Sequence, residues 1–391
     1  MSEWQECKLA DAPFEIIDGD RGTNYPKQGE FNQNGYCLFL NAKNVTTDGF
    51  TFNECFFISK ERDEKLRKGK LQRNDIVLTT RGTVGNIGFF NSRIPYENIR
   101  INSGMVIIRP DPQGILPEYT HQLFKYLKGD FDVFATGSAQ PQLPIRDLKE
   151  ISFPLPPRPE QSAIASVLSS LDDKIDLLHR QNKTLEAMAE TLWRKMFVEE
   201  ADPGWDEKGL DEIATFLNGL PCQKYPPDTF TEPLPVIKIK ELRTGITDDS
   251  DLATSKVPPE YIIDDGDIIF SWSGSLEVVI WSFGKGVLNQ HLFKVTSVDY
   301  PKWFCYYWIK HHLAGFRDIA QDKATTMGHI QRHHLSAAKV LIPDEKSFEY
   351  LNTKISPVFE KMIHNLKAIR KFARLRDTLL PKLMSGEVRV K

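Results

Sequence analysis

The sequence predicts an α+β protein made of one unit used twice: two irregular, β-rich globular domains with short helices, separated by two long helices that form an antiparallel coiled coil. Three observations predict it. The chain repeats itself, each copy opens with short apolar runs punctuated by Gly, Pro and Asn, and each copy closes on a long segment with heptad spacing.

Trp4 and Leu9 recur as Trp205 and Leu210, and Asp18-Gly19 and Tyr25-Pro26 recur as Asn218-Gly219 and Tyr225-Pro226. RNDIVLTTRGTVG at 73–85 has a counterpart in DGDIIFSWSGS at 265–275. Beyond that point the spacing settles at 187. Asn102 maps to Asn289, Leu143 to Ile330, Leu148 to Leu335, Pro156 to Pro343, and TLWRKMF (191–197) to TLLPKLM (378–384). The expected boundaries are a first globular domain at 1–157, a central helical region at 158–200, a second globular domain at 201–343 and a C-terminal helical region at 344–391.

In the central region Ile164, Leu168, Leu171, Ile175, Leu178, Leu185, Leu192 and Met196 fall in steps of four and three, with Asn182 and Ala189 filling the gaps. Leu351, Ile355, Val358, Met362, Ile369, Phe372, Leu379 and Leu383 keep the same phase in the last region, where Asn365 and Arg376 are the polar exceptions. Such spacing is that of a coiled-coil seam. The residues expected to meet are Leu171, Ile175, Leu178, Leu185 and Leu192 against Val358, Met362, Ile369, Phe372 and Leu379. The prolines of PLPPRPEQ should delay the first helix, with Glu160 in its first turn. Pro357 should restart the second, giving a short helix and then a long one to about Leu380, with Gly386 as the stop. Opposite charge favours pairing: residues 158–200 carry six basic and eight acidic side chains, residues 344–391 eleven and six. An antiparallel pair lets two repeats share an internal two-fold axis, and a helix of ~30 residues is a ruler ~45 Å long.

Composition narrows the function. Apolar content of 40% with 26% charge is that of a globular chain. No apolar run approaches the ~18 residues of a membrane span, and MSEWQECKLADAPF lacks a signal-peptide pattern, so a cytoplasmic location is expected. The five cysteines (Cys7, Cys37, Cys55, Cys222, Cys305) are odd in number and far apart, which argues against a zinc site or a disulfide framework. His311-His312 and His333-His334 are adjacent pairs whose rings diverge, so no metal is expected. The net charge of −3 hides local basic stretches: residues 60–73 hold seven Lys/Arg against three acids.

With its duplication, its PLPPRPEQSAIASVLSSLDDKID segment and its LRDTLLPKLMSGEVRV tail, the chain resembles the specificity subunit of type I restriction-modification systems. TGSAQPQLP and ATTMGHI ahead of the helices, and the turns at Asn74-Asp75-Ile76 and Gly266-Asp267-Ile268, extend the likeness over essentially the whole chain. The resemblance implies two target-recognition domains, each reading one half of a bipartite, asymmetric site in double-stranded DNA. It implies helices that set the spacer and dock two methyltransferase (M) subunits, with restriction (R) subunits joining the full complex. S-adenosylmethionine and ATP would belong to those partners. The sequence has no G-x-x-x-x-G-K-[ST], G-x-G-x-x-G or Asn-Pro-Pro-aromatic motif of its own, so no catalytic residue is expected. The alternative is a free-standing nucleic-acid-binding adaptor without a methyltransferase partner. A nuclease using the recurring Asp75 and Asp267 is a third reading, although a turn leading into a strand suits them better.

The candidate DNA contacts follow from what base edges and phosphates require. Thr80, Arg81 and Thr83 lie on a glycine-bearing loop after a strand, matched by Trp272, Ser273 and Ser275; Arg81 could grip guanine or simply be solvated, and Trp272 could be core. Asn102 and Ser103 are matched by Asn289, Gln290 and His291, as adenine readers or turn formers. Ser138, Gln140 and Gln142 stand opposite Lys323, Thr325, Thr326 and His329, and Lys43 and Lys240 are phosphate candidates. Different residues on a common frame are what two different half-sites require.

Overall fold

The computed structural model describes residues 4–390 other than Asp48, Ser138, Ala139, Phe230 and 323–327. The chain divides into two compact units, Met1–Asp173 with Arg374–Lys391, and Lys174–Ala373. The division crosses both long helices, so each unit holds one globular domain and a stretch of each helix.

In the first unit a four-stranded antiparallel sheet runs, in spatial order, Phe14–Asp18, Met105–Pro110, Ile76–Thr79 and Ile87–Phe89. The second unit repeats the order with Thr215–Asn218, Leu292–Thr296, Ile268–Ser271 and Val278–Ile280. The inner strands IVLT and IIFS are buried at every position, which is why they read as unbroken apolar runs rather than alternations. Each is introduced by a turn with a left-handed residue, Asn74 (φ 75°) or Gly266 (φ 92°). The next residue closes the turn: Asp75 accepts the Gln72 N–H at 2.7 Å, and Asp267 that of Asp264 at 2.9 Å. The recurring aspartates are therefore turn builders, with Arg109 on Asp75 and Lys294 on Asp267. A strand pair ties off each domain, Gln5–Lys8 with Ser152–Leu155 and Asp206–Gly209 with Lys339–Ile342. A parallel pairing recurs as well, Cys37–Phe39 with Ile99–Arg100 and Leu234–Ile237 with Gly286–Leu288.

The long helices are Arg158–Arg194 and Glu345–Met384. In the first unit Ile164, Ala165 and Leu168 share a core with Leu383 and Met384, and Asp172 meets Arg376 at 3.1 Å. In the second, the Asn182 amide donates to Met362 O at 3.1 Å and the Asn365 amide to Asn182 Oδ1 at 2.9 Å. Partners run downward on one helix as they run upward on the other, so the pair is antiparallel. Asn182 and Asn365, polar positions of the two heptad patterns, thus meet each other. Of the expected seam, Leu178 and Met362 are buried, and Leu171, Ile175, Leu185, Val358, Ile369, Phe372 and Leu379 are partly buried.

Three helical expectations need correction. Leu192 is exposed, and the buried face passes instead through Ala189, Trp193 and Phe197, spaced by four. A straight helix drifts ~20° per heptad from a 3.5-residue repeat, and at this end the neighbour is the aromatic core of the second domain, which takes the larger Trp193 ring. Pro357 does not restart the helix: Glu345–Met384 is continuous and Pro357 lies on its exposed side. A proline inside a helix costs ~3 kcal/mol. Burial of Leu351, Ile355 and Phe359 around it, each contributing ~1.5–3 kcal/mol, offsets that. Nor do the prolines delay the first helix, which starts at Arg158; Pro159 sits in the first turn, where no intrahelical N–H is required. Gly386, at φ 75°, follows the second helix as expected.

Candidate nucleic-acid interface

The end of the Ile76–Thr79 strand, the turn at Asn102 and the segment before the central helix converge in the first unit through a small set of backbone bonds. Thr80 N–H donates to Gly104 O (2.8 Å), Leu143 N–H to Thr80 O (2.9 Å) and Gly82 N–H to Pro141 O (2.9 Å). The Asn102 side chain shapes its turn by accepting the Gly104 N–H at 2.9 Å. A glycine completes the cradle, because a Cβ on Gly19 would stand 2.3 Å from Asn102 O.

The second unit makes the same bonds with other residues. Trp272 N–H donates to His291 O (3.4 Å), Ile330 N–H to Trp272 O (3.0 Å) and Gly274 N–H to Gly328 O (2.9 Å). Asn289 Oδ1 accepts the His291 N–H at 3.4 Å, and a Cβ on Gly219 would meet Asn289 O at 2.2 Å. Even the loop brace recurs: the Thr79 hydroxyl donates to Thr83 O, and that of Ser271 to Ser275 O.

On this shared frame the side chains differ. In the first unit Arg81 is exposed and its guanidinium reaches Gln142 Oε1 at 3.3 Å; the two residues also form a backbone bridge. In the second the bridge joins Ser273 to His329, and the Ser273 hydroxyl meets His291 Nδ1 at 3.1 Å. Trp272 is half-buried, its indole N–H donating to Asn218 Oδ1 at 2.9 Å while its ring packs near His291, His329 and Phe293. Asn218, Trp272, His329 and Arg332 line a cavity of about 310 Å³. One cradle is cationic with an amide; the other is aromatic with imidazoles.

The structure therefore gathers Thr80, Arg81, Asn102, Ser103 and Gln142 in one unit, and Trp272, Ser273, Asn289, Gln290, His291 and His329 in the other. Thr80, Ser273 and Asn289 are buried, so they build the frame. Thr83, Gln140 and Ser275 are exposed on its loops. Lys43 stands apart in a short 3-10 turn, paired with Glu54 at 3.0 Å, and Lys240 lies exposed on the helix Ile239–Thr244. Ser138, Lys323, Thr325 and Thr326 lie outside the described residues. Sequence reasoning missed Arg21, which bridges Asp18 Oδ1 (3.1 Å) and Ser103 O (3.2 Å), and Asn218, which holds Trp272. The recurrence of Asp18-Gly19 as Asn218-Gly219 was the available signal. The paired histidines serve packing: His312 meets Lys339 O at 2.8 Å, the His311 ring lies on Trp193 and Trp308, and His334 accepts the Gln331 N–H.

A family profile described as the type I restriction modification DNA specificity domain matches residues 1–187. Over this stretch the chain is similar to the specificity subunits of type I restriction-modification systems. It is 27% identical over 356 residues to the MjaIX specificity subunit of Methanocaldococcus jannaschii, covering 81% of this chain and 78% of that one. It is 20% identical to the HindI specificity subunit of Haemophilus influenzae, covering 99% of this chain and all of that one. The fold is that of the type I S subunit from M. genitalium (TM-score 0.61, 15% identity, 98% and 96% covered). Among the described residues no helix is long and apolar enough to cross a membrane.

Proposed function

We propose that this chain is the sequence reader of a type I restriction-modification complex and performs no chemistry itself. Each globular domain (1–157 and 201–343) reads one half of a bipartite, asymmetric site in double-stranded DNA. The helical regions, 158–200 and 344–391, set the spacer and dock two methyltransferase subunits, to which restriction subunits add. S-adenosylmethionine and ATP are bound by those partners, and the complex works in the cytoplasm. The carrying observation is the cradle built twice from equivalent backbone bonds with different tips: Arg81 with Gln142 in one domain, His291, braced by the buried Ser273, with His329 in the other. A fixed frame with exchangeable donors and acceptors is what distinguishes base edges, since each base pair shows its own pattern in the major groove.

Purified alone, the chain should neither methylate nor cut DNA; mixed with cognate methyltransferase subunits and S-adenosylmethionine, it should direct methylation to one split motif. Methyl transfer or cleavage by the chain alone contradicts the proposal, as does motif methylation that persists in the host after deletion of its gene.

A further inference from the structure

The two domains differ in the charge carried by a turn beside the cradle. In the first unit the turn Arg67-Lys68-Gly69 is pinned from three sides. Arg67 N–H donates to Asp20 Oδ2 at 2.7 Å, the buried Arg100 guanidinium donates to Lys68 O at 2.7 Å, and Ile101 N–H donates to Gly69 O at 2.9 Å. A Cβ on Gly69 would lie 3.3 Å from Gly19 Cα, so the turn abuts the glycine that closes on Asn102. Its acidic neighbours are engaged: Asp63 is buried on Lys70 and Arg100, and Glu61 pairs with Lys65. Arg67 and Lys68 are exposed, and among the described residues neither forms an ion pair.

The equivalent turn follows from the sheet. Lys70 bridges Arg100 as Ile262 pairs with Val287, at the same 192-residue spacing that relates Asp75 to Asp267. Lys68 therefore corresponds to Glu260 and Arg67 to Pro259, both exposed on the 3-10 turn Pro259–Tyr261. The wider stretches carry the same contrast: 60–73 has seven basic and three acidic residues, and 252–265 has one and three. Charge at the rim of the cradle is reversed between domains.

Resting on the DNA-reading proposal above, we infer that Arg67 and Lys68 form a phosphate clamp that only the first domain possesses, so that the DNA backbone is held mainly beside the half-site this domain reads. Cations on a rigid turn neutralise phosphates and release counterions, giving sequence-independent, salt-sensitive affinity. A glutamate at the same place repels a phosphate, so the second domain relies on its side-chain readout.

The test uses the full chain assembled with its methyltransferase subunits and a duplex carrying the motif it methylates. Arg67→Gln/Lys68→Gln should weaken binding at low salt and reduce the slope of log K against log salt by about 1 to 2, with the methylated motif unchanged. Glu260→Lys should steepen that slope by about 1. A slope unmoved by the double variant overturns the clamp, and one unmoved by Glu260→Lys overturns the charge asymmetry. A wild-type complex that binds motif and scrambled duplexes equally overturns the reading function as well, which separates the two failures.

Discussion

Asp172 and Arg376 face each other across the long helices in the first unit, whereas their counterparts at the 187-residue spacing in the second unit are Phe359 and Ala189, both in an aromatic core. Asp172 is held by Lys125 at 2.8 Å and Gln122 at 2.9 Å as well as by Arg376. Burial alone would raise its carboxyl, but Lys125, the Gln122 amide and Arg376 outweigh it and hold Asp172 well below the usual carboxylate range. In the other unit Phe359 lies against Tyr306 and Tyr307, while Trp193 packs on Trp308 and Phe197. The hydrogen-bonded layer Asn182–Asn365 likewise has an apolar counterpart, Ile369 with Leu178. The duplicated scaffold therefore keeps its backbone plan and varies its chemistry. A buried polar pair gives the helices one register in which both amide N–H groups find acceptors, Met362 O and Asn182 Oδ1, which an all-apolar seam would not specify.

The largest effect should come from the aromatic end. Trp193→Ala should cost about 3–5 kcal/mol of unfolding free energy, read by denaturant titration, because it opens a cavity among Phe197, Tyr307 and Trp308. Leu192→Ala, one residue away on the exposed side, should cost under about 1 kcal/mol; similar losses would erase the distinction between the two positions.

At the ionic end, Asp172→Ala leaves Lys125 without its carboxylate and Arg376 with Asp377 alone, and should cost about 1–3 kcal/mol. The same region should make the first unit acid-sensitive. His121 stacks on Phe89 at 5.1 Å, and burial, with the Lys125 charge beside it, holds its pKa well below the ordinary 6.5. The unfolded chain then binds more protons than the folded one below pH 6.5, so stability falls as pH drops from there. The depressed Asp172 adds a second loss below the ordinary 3.8. Melting temperatures measured from pH 7 to 3 should show this decline, and Asp172→Asn should remove the lower part of it.

The asparagine layer sets the smallest effect. Asn182→Leu alone strands the Asn365 amide and should cost about 1–2 kcal/mol, whereas Asn182→Leu/Asn365→Leu should be near neutral or stabilising. A double-mutant cycle showing simple additivity would mean that the pair is not coupled. Because Asn182 and Asn365 are partners, a heptad inserted near Gln181 needs a matching heptad near Leu366 to preserve the register.

Much of this was legible in the sequence, for physical reasons that also explain what was not. The sheet strands announced themselves because IVLT and IIFS are buried on both faces, and the cradles because their glycines sit where backbone meets backbone. The choice of Leu192 over Trp193 failed because neighbouring apolar residues cannot be ranked by heptad phase once a helix leaves its partner for a globular core. Pro357 failed because a local penalty was weighed without the tertiary burial that exceeds it. Arg21 carries no pattern of its own, and Asn218 is marked only by the recurrence of Asp18-Gly19 as Asn218-Gly219.

Exchanging residues 1–157 for those of a relative with a different known target, followed by genome-wide mapping of methylated adenines in a host carrying the hybrid, tests the central claim most directly. The account predicts that one half of the split motif changes while the other half and the spacer stay as they were. A motif in which both halves change together, or neither does, would contradict it.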